Sequence, residues 1–210
     1  MNANKIYDDG NVKAWQFNLE ADAEQIKELR KELDTADLAQ LKAYGRPDLQ
    51  DQFIVRRSTL RRLLALELGA DDPKKLRINT DEGGKPWLDG NPIHFSPSSS
   101  GQFGLIAVST DRPIGVDIEI HNPKMASLDM QFLASDEINL LKAEQNDTAN
   151  FFRIWSRKEA VIKATGEGMG FPLRTISVLQ DVVTVPTAVH IRDLNVGPGY
   201  SAAFATLDLE

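Results

Sequence analysis

The chain contains no cysteine among its 210 residues, which excludes disulfides, thiolate metal sites and cysteine nucleophiles together. Histidine is nearly as scarce: His94, His121 and His190 are the whole complement, too scattered in sequence to suggest a zinc cage. Basic charge is in deficit, with 24 Lys and Arg against 31 Asp and Glu and a formal net charge of -7. That balance argues against a general nucleic-acid binder, whose affinity rests on neutralising phosphates, and it confines any anion site to a local patch. No apolar run approaches the ~20 residues of a membrane span. Residues 1–15 mix Asn, Lys and Asp without the apolar run of a signal peptide. A cytoplasmic protein with no membrane partner is expected.

At 41% hydrophobic and 26% charged residues, the chain lies in the globular range and can bury one substantial core or two modest ones. Residues 20–43 are rich in Glu, Lys, Leu and Ala and predict one or two surface helices. After a break at Gly45-Arg46-Pro47, the spacing of Phe53, Leu60, Leu63, Leu64 and Leu66 predicts an amphipathic helix from Asp51 to Leu68, stopped by Gly69. Its polar face carries Arg56, Arg57, Arg61 and Arg62. Short strands are expected at Leu76–Ile78, Ile93–Phe95, Phe103–Ser109 and Ile114–Ile120, with a turn at Gly83-Gly84-Lys85-Pro86. Helices follow around Ser135–Ala143 and through a segment ending near Gly166. Further strand-like runs lie at Thr175–Leu179, Ala188–Ile191 and Tyr200–Ala205. Helix then strands, twice over, predicts an α+β protein with two related halves.

Two segments carry candidate chemistry. Ile114-Gly115-Val116-Asp117-Ile118-Glu119-Ile120 alternates strictly, so Asp117 and Glu119 point the same way, roughly 6–7 Å apart, close enough to ligate one hard cation together. A strand with a solvated polar face explains the same pattern. In the segment Trp155-Ser156-Arg157-Lys158-Glu159-Ala160-Val161-Ile162-Lys163, read as a helix, Trp155, Glu159, Ile162 and Lys163 share one stripe. A carboxylate there either faces a partner in a cleft or forms an ordinary i,i+4 surface pair with Lys163. Three carboxylates without soft ligands match Mg²⁺, which commonly also binds substrate phosphates, and Lys158 and Lys163 beside it suit an anionic substrate.

Gly115-Val116-Asp117-Ile118-Glu119, followed by Trp155-Ser156-Arg157-Lys158-Glu159-Ala160-Val161-Ile162-Lys163, resembles the paired signature of the 4'-phosphopantetheinyl transferases. The length resembles the larger, surfactin-synthetase-activating (Sfp-like) type, a monomer of two pseudo-symmetric halves, each a small antiparallel sheet packed with helices. Here those halves correspond to residues 1–112 and 113–210. The resemblance implies transfer of the phosphopantetheine arm of coenzyme A to a serine of an apo acyl or peptidyl carrier protein, releasing adenosine 3',5'-bisphosphate. It implies Asp117, Glu119 and Glu159 as Mg²⁺ ligands, with Asp117, Glu159 and Lys163 as catalytic groups. On that resemblance Lys163 and Lys158 would offset charge on the coenzyme phosphates, and Glu159 would take the serine proton directly or through a water. Gly84-Lys85-Pro86 resembles the family's adenosine-contacting turn, and Leu60-Arg61-Arg62-Leu63-Leu64 its basic first-half helix.

One departure stands out. Where the family carries F-N-(L/I)-S-H-S, this chain has Phe95-Ser96-Pro97-Ser98-Ser99-Ser100, so Ser98 and Ser99 occupy the phosphate-contacting positions and Ser99 replaces a histidine. A serine donates one hydrogen bond but no cationic contact. His94 is odd in offset from Ser99 and falls on the opposite strand face. The departure motivates an alternative, a degenerate member that binds carrier protein or nucleotide without transfer; the oxygen-only site motivates a third, a Mg²⁺-dependent pyrophosphate hydrolase. The Arg56–Arg62 face is either solvated or a dock for phosphate and an acidic carrier. Residues 1–113 hold 16 of the 24 basic residues, which favours docking, with Arg57 and Arg61 as the phosphate contacts. The Lys85 turn is either a loop device or a binding element.

Overall fold

Two four-stranded antiparallel sheets divide the chain between them. The computed structural model describes residues 3–208 apart from 91, 127–128 and 146. In order come β1 (Asn4–Asp8), β2 (Val12–Asn18), α1 (Ala23–Arg30), α2 (Thr35–Leu41), α3 (Pro47–Leu68), a small hairpin of β3 (Ile78–Thr80) and β4 (Pro86–Leu88), then β5 (His94–Ser100) and β6 (Phe103–Ser109). The second series runs β7 (Ile114–Ile120), a single turn α4 (Pro123–Ala126), α5 (Ser135–Ala143), α6 (Thr148–Thr165), β8 (Val182–Val185), β9 (Thr187–Asp193) and β10 (Tyr200–Leu207). The sheet orders are β1-β2-β6-β5 and β7-β10-β9-β8. In each, a strand leads into a long helix and a closing hairpin whose last strand returns to pair with the first: β2-β6-β5 in one, β7-β10-β9 in the other. This is the α+β, two-sheet architecture expected from the sequence.

Strand alternation sorts the side chains into three cores. Trp15, Phe17, Phe95, Ile106 and Val108 pack beneath α3. Val189, Ile191, Ala203 and Ala205 pack with Ile154, Val161 and Ile162 of α6. The opposite faces, with Val12, Ala14, Leu105 and Ala107 from the first sheet and Ile114, Val116, Ile118 and Phe204 from the second, meet in a shared core. Strands β2 and β6 are therefore apolar on both faces, the pattern of a sheet covered on both sides.

Several elements differ from the sequence-based expectation. Strands β1 and β2 form a hairpin within a stretch that shows no apolar run at its start; Asp8 and Asp9 close its turn by accepting from Gly10, Asn11 and Val12 N–H. Helix α3 begins at Pro47 rather than Asp51, because proline lacks only an N–H that the first turn leaves unbonded anyway. The Thr175–Leu179 segment is not a strand. A 3-10 turn spans Leu173–Thr175, and side chains then satisfy the backbone: Lys158 donates to Leu173 and Ile176 carbonyls, Arg157 to Val178 carbonyl, and Glu137 accepts from Val178 N–H.

Candidate active site

Strand β7 carries the centre of the site. Its alternation sends Val116 and Ile118 into the shared core and turns Gly115, Asp117 and Glu119 toward α6. That face is not solvated: Asp117 is 3% exposed. The helix comes close because Gly115 has no side chain. A Cβ there would lie 2.1 Å from Ala160 carbonyl oxygen and 2.3 Å from Ala164 nitrogen, so backbone packs on backbone. Glu159 and Lys163 flank Ala160 and Ala164 on the helix and are carried over the strand with them.

The second wall is β5, the edge of the other sheet. It runs beside β7 in the parallel sense, joined to it by serine side chains rather than a backbone ladder. Ser96 and Ser100 hydroxyls accept from Val116 and Ile120 N–H at 3.1 and 3.0 Å. Ser98 donates to Asp117 Oδ1 at 2.8 Å and Ser100 to Glu119 Oε2 at 3.0 Å. Lys163 Nζ reaches the same cluster, 2.7 Å from Asp117 Oδ1 and 3.0 Å from Ser98 Oγ.

This cluster holds more negative charge than its protein partners balance. Burial pushes the Asp117 carboxyl above its usual range despite the Lys163 ammonium. Glu119 is pushed up to about 7, first by burial and then by the Asp117 and Glu159 charges. Asp117 Oδ2 is buried without a hydrogen-bond partner. An orphaned carboxylate oxygen beside a second, partly buried carboxylate is the donor set a hard divalent cation uses. Among the described residues no three such side chains converge into a ready-made metal cage. Asp117 and Glu119 form the near pair, while Glu159 stands within electrostatic range of Glu119 and lines a cleft of about 540 Å³ with Phe132, Trp155, Phe171 and Leu173.

A family model described as the 4'-phosphopantetheinyl transferase superfamily matches residues 113–205, the span that holds β7, α6 and the second sheet. Over that span the chain is similar to that superfamily. Among similar 4'-phosphopantetheinyl transferases, HetI of Nostoc sp. is 29% identical over 198 residues, covering 90% of this chain and 80% of HetI. Sfp of Bacillus subtilis is 34% identical over 143 residues, 63% of each protein. A candidate 4'-phosphopantetheinyl transferase of Synechocystis sp. is 34% identical over 151 residues, 69% of this chain and 61% of that protein. The match to the last two thus spans less than two thirds of their length.

The structure brings Asp117, Glu119, Ser98 and Lys163 together, and separates others from them. Lys158 is 1% exposed and its ammonium is fully engaged, by Glu137 at 2.9 Å and by the Leu173 and Ile176 carbonyls. All three donors are taken, so the expected coenzyme contact is replaced by an anchor for the 173–178 segment. Arg61, expected to contact phosphate, is 0% exposed and spends its guanidinium on Asp34, Asp37 and the Pro73 and Leu76 carbonyls. Arg62 pairs with Glu32 at the surface. The four arginines therefore do not form one patch: only Arg56 and Arg57 line the cleft next to β5, with Ser98 and Ser99. Arg57 is held there through Nε by Asp37, and Arg56 Nη1 donates to Ser99 Oγ at 2.9 Å.

Lys85 lies at the C-terminal end of α6. The turn containing Gly84, Lys85 and Pro86 joins β3 to β4, and Lys85 Nζ donates to Ala164 carbonyl at 2.9 Å. A cation on the last carbonyls of a helix is favourably placed against its dipole. Burial nevertheless pushes the ammonium down to about 8. His94 lies in the same cleft as Lys85, Pro86 and Trp87, away from Ser99.

Gly115 and Ser100 escaped the sequence analysis as functional positions. A glycine inside a strand signals close backbone approach, and serines at 96, 98 and 100 share one strand face. Asp37 and Glu137 carried no such signal: Asp37 reads as the N3 member of the Asp34 capping box, and Glu137 as an acidic residue in the first turn of a helix.

Proposed function

We propose that the chain transfers the 4'-phosphopantetheine arm of coenzyme A to a serine hydroxyl of an apo acyl or peptidyl carrier protein, releasing adenosine 3',5'-bisphosphate. The carrying observation is the buried, under-neutralised carboxylate pair of β7 with an unpartnered Asp117 oxygen. In this reading Asp117, Glu119 and Glu159 hold Mg²⁺, which supplies charge neutralisation for the coenzyme pyrophosphate. The serine Oγ–P bond forms as the P–O bond to the adenosine 5'-phosphate breaks. Lys163, held by Asp117 and Ser98, stands ready to donate to the oxygens that gain charge. Glu159 accepts the serine proton, directly or through a water. The apolar cleft of Trp155, Phe132, Phe171 and Leu173 beside Glu159 receives the pantetheine arm, and the Lys85–Pro86 turn the adenosine end.

The division at residues 112 and 113 puts the donor-facing helix α3 and strand β5 in one half and the carboxylates in the other. One chain supplies both walls, which supports a monomer of the larger, Sfp-like type. Calorimetry tests the donor half of the reading: coenzyme A should bind in the presence of Mg²⁺, with affinity lost in Asp117→Ala. Carrier binding without metal-dependent coenzyme A affinity would point to a binding module, and coenzyme A cleavage without carrier to a hydrolase.

A further inference from the structure

Ser100 has no part in the transfer reading above, yet it touches one of the carboxylates that reading uses. Strand β5 puts Ser96, Ser98 and Ser100 on one face, with the same two-residue period that puts Asp117 and Glu119 on one face of β7. The two series meet side by side. Ser96 accepts from Val116 N–H, and Ser98 stands between Asp117 Oδ1 and the Lys163 ammonium. Ser100 combines the two kinds of contact: its hydroxyl accepts from Ile120 N–H and donates to Glu119 Oε2, each at 3.0 Å. A backbone ladder between these strands would offer a carboxylate side chain no donor, whereas a hydroxyl accepts and donates at once.

The place of Ser100 is set from the second half of the chain. Beyond it the chain turns into β6 at Gly101, whose φ is +59°. A Cβ on Gly101 would fall 2.4 Å from the Tyr200 hydroxyl, so the turn rests directly on β10. Tyr200 also accepts from Gln102 N–H at 3.3 Å, packs edge-on against Phe103 with ring centroids 5.1 Å apart, and stands opposite Ile120 in the β7–β10 register. Each carboxylate is then held by one oxygen. Asp117 Oδ1 takes Ser98 and Lys163 while Oδ2 is left without a partner, and Glu119 takes Ser100 on Oε2. Fixing one oxygen orients the carboxylate and leaves the other for a cation, which is how hydrogen bonds to metal ligands tune a site.

Resting on the transfer reading, we propose that Ser100 is a positioning residue for the divalent cation, acting through Glu119: it holds that carboxylate in the orientation that ligation beside Asp117 requires. Glu119 depends on it more than Asp117 depends on Ser98, because the longer side chain has one more torsion to fix and Asp117 is also held by Lys163.

The probe is Mn²⁺, which suits the same oxygen ligands and whose unbound ion is counted by electron paramagnetic resonance. Wild type, Ser100→Ala, Ser100→Thr and Ser96→Ala are titrated with Mn²⁺, with and without coenzyme A, and the fold of each is followed by thermal denaturation. Ser100→Ala should bind Mn²⁺ about 10- to 100-fold more weakly, the range for losing a hydrogen-bond partner of a metal ligand. Its fold should hold, because the Ile120 N–H it releases lies at the exposed end of β7 and can take water. Ser100→Thr keeps the hydroxyl and should return wild-type affinity. Ser96→Ala removes a contact between the same strands that reaches no carboxylate, so it should lower the melting temperature and leave Mn²⁺ affinity unchanged. Should Ser100→Ala not fold, Ser100→Cys, whose thiol is a weak donor, is titrated in its place with the same expectation. Unchanged Mn²⁺ affinity in the folded variant overturns the inference, as does failure of Ser100→Thr to restore it. Equal weakening by Ser96→Ala also overturns it, since the serines would then act only by joining the sheets. If wild type binds no Mn²⁺ with or without coenzyme A, the metal part of the transfer reading fails and this inference falls with it; wild-type binding with an indifferent Ser100→Ala removes this inference alone.

Discussion

Arg61 and Lys158 show how one residue type serves opposite ends depending on what surrounds it. Each lies one turn or less from a residue of the candidate site, and each sequence context reads as a substrate contact. In the fold each is a fully buried ion with every nitrogen of its charged group engaged, Arg61 by Asp34, Asp37 and backbone carbonyls, Lys158 by Glu137 and two backbone carbonyls. Removing one partner of such a pair leaves an uncompensated buried charge, which costs about 3–5 kcal/mol. Arg61→Ala and Lys158→Ala are therefore expected to lower unfolding free energy by that order in chemical denaturation. The fraction that stays folded should keep the wild-type KM for coenzyme A. A raised KM with unchanged stability would return these residues to the binding site. Asp117 is the contrasting residue, buried with one oxygen unmet among the described residues, which leaves that oxygen open to a ligand.

At the scale of elements, the site depends on how closely α6 lies on β7. Gly115 sets that distance. A methyl group at this position meets Ala160 and Ala164 backbone atoms well inside contact, so Gly115→Ala should destabilise the fold by about 1–3 kcal/mol and lower transfer more than it lowers coenzyme A binding. Thermal denaturation alongside kcat and KM checks both; full activity would show that the helix has room to shift. The C-terminal end of the same helix is held by Lys85. Its ammonium titrates near 8 in the fold, against 10.5 in an unperturbed lysine, so between those values the unfolded chain binds more protons and stability rises with pH. The stability difference between wild type and Lys85→Met is expected to shift in favour of wild type from about pH 8 to 10.5. A flat difference would mean that the ammonium is not desolvated. These two elements were also the most legible in the sequence: β7 through strict alternation, α6 through its apolar stripe and terminal Gly166. The β1–β2 hairpin was not, because a sheet covered on both faces loses the period-two signal, nor was the 173–178 segment, whose backbone is satisfied by distant side chains.

For the whole molecule, the deciding contacts cross from one sheet to the other, and such contacts are where sequence ceases to inform. The carboxylates were legible because alternation fixes their common face. That Ser98 and Ser100 would meet them was not, since nothing local states that edge strand β5 lies against edge strand β7. The same limit explains the arginine face of α3: helical spacing groups Arg57 with Arg61, while the acidic residues that claim Arg61 come from α2 and the loop before it. Both sheets contribute to one site, and the central claim is that this joint site transfers a phosphopantetheine arm. Mass spectrometry of apo carrier proteins incubated with the chain, coenzyme A and Mg²⁺ tests it most directly. The account predicts a gain of one phosphopantetheine arm on a serine with wild type and none with Asp117→Ala. No gain with wild type across several acyl and peptidyl carriers, or an equal gain with Asp117→Ala, would contradict it.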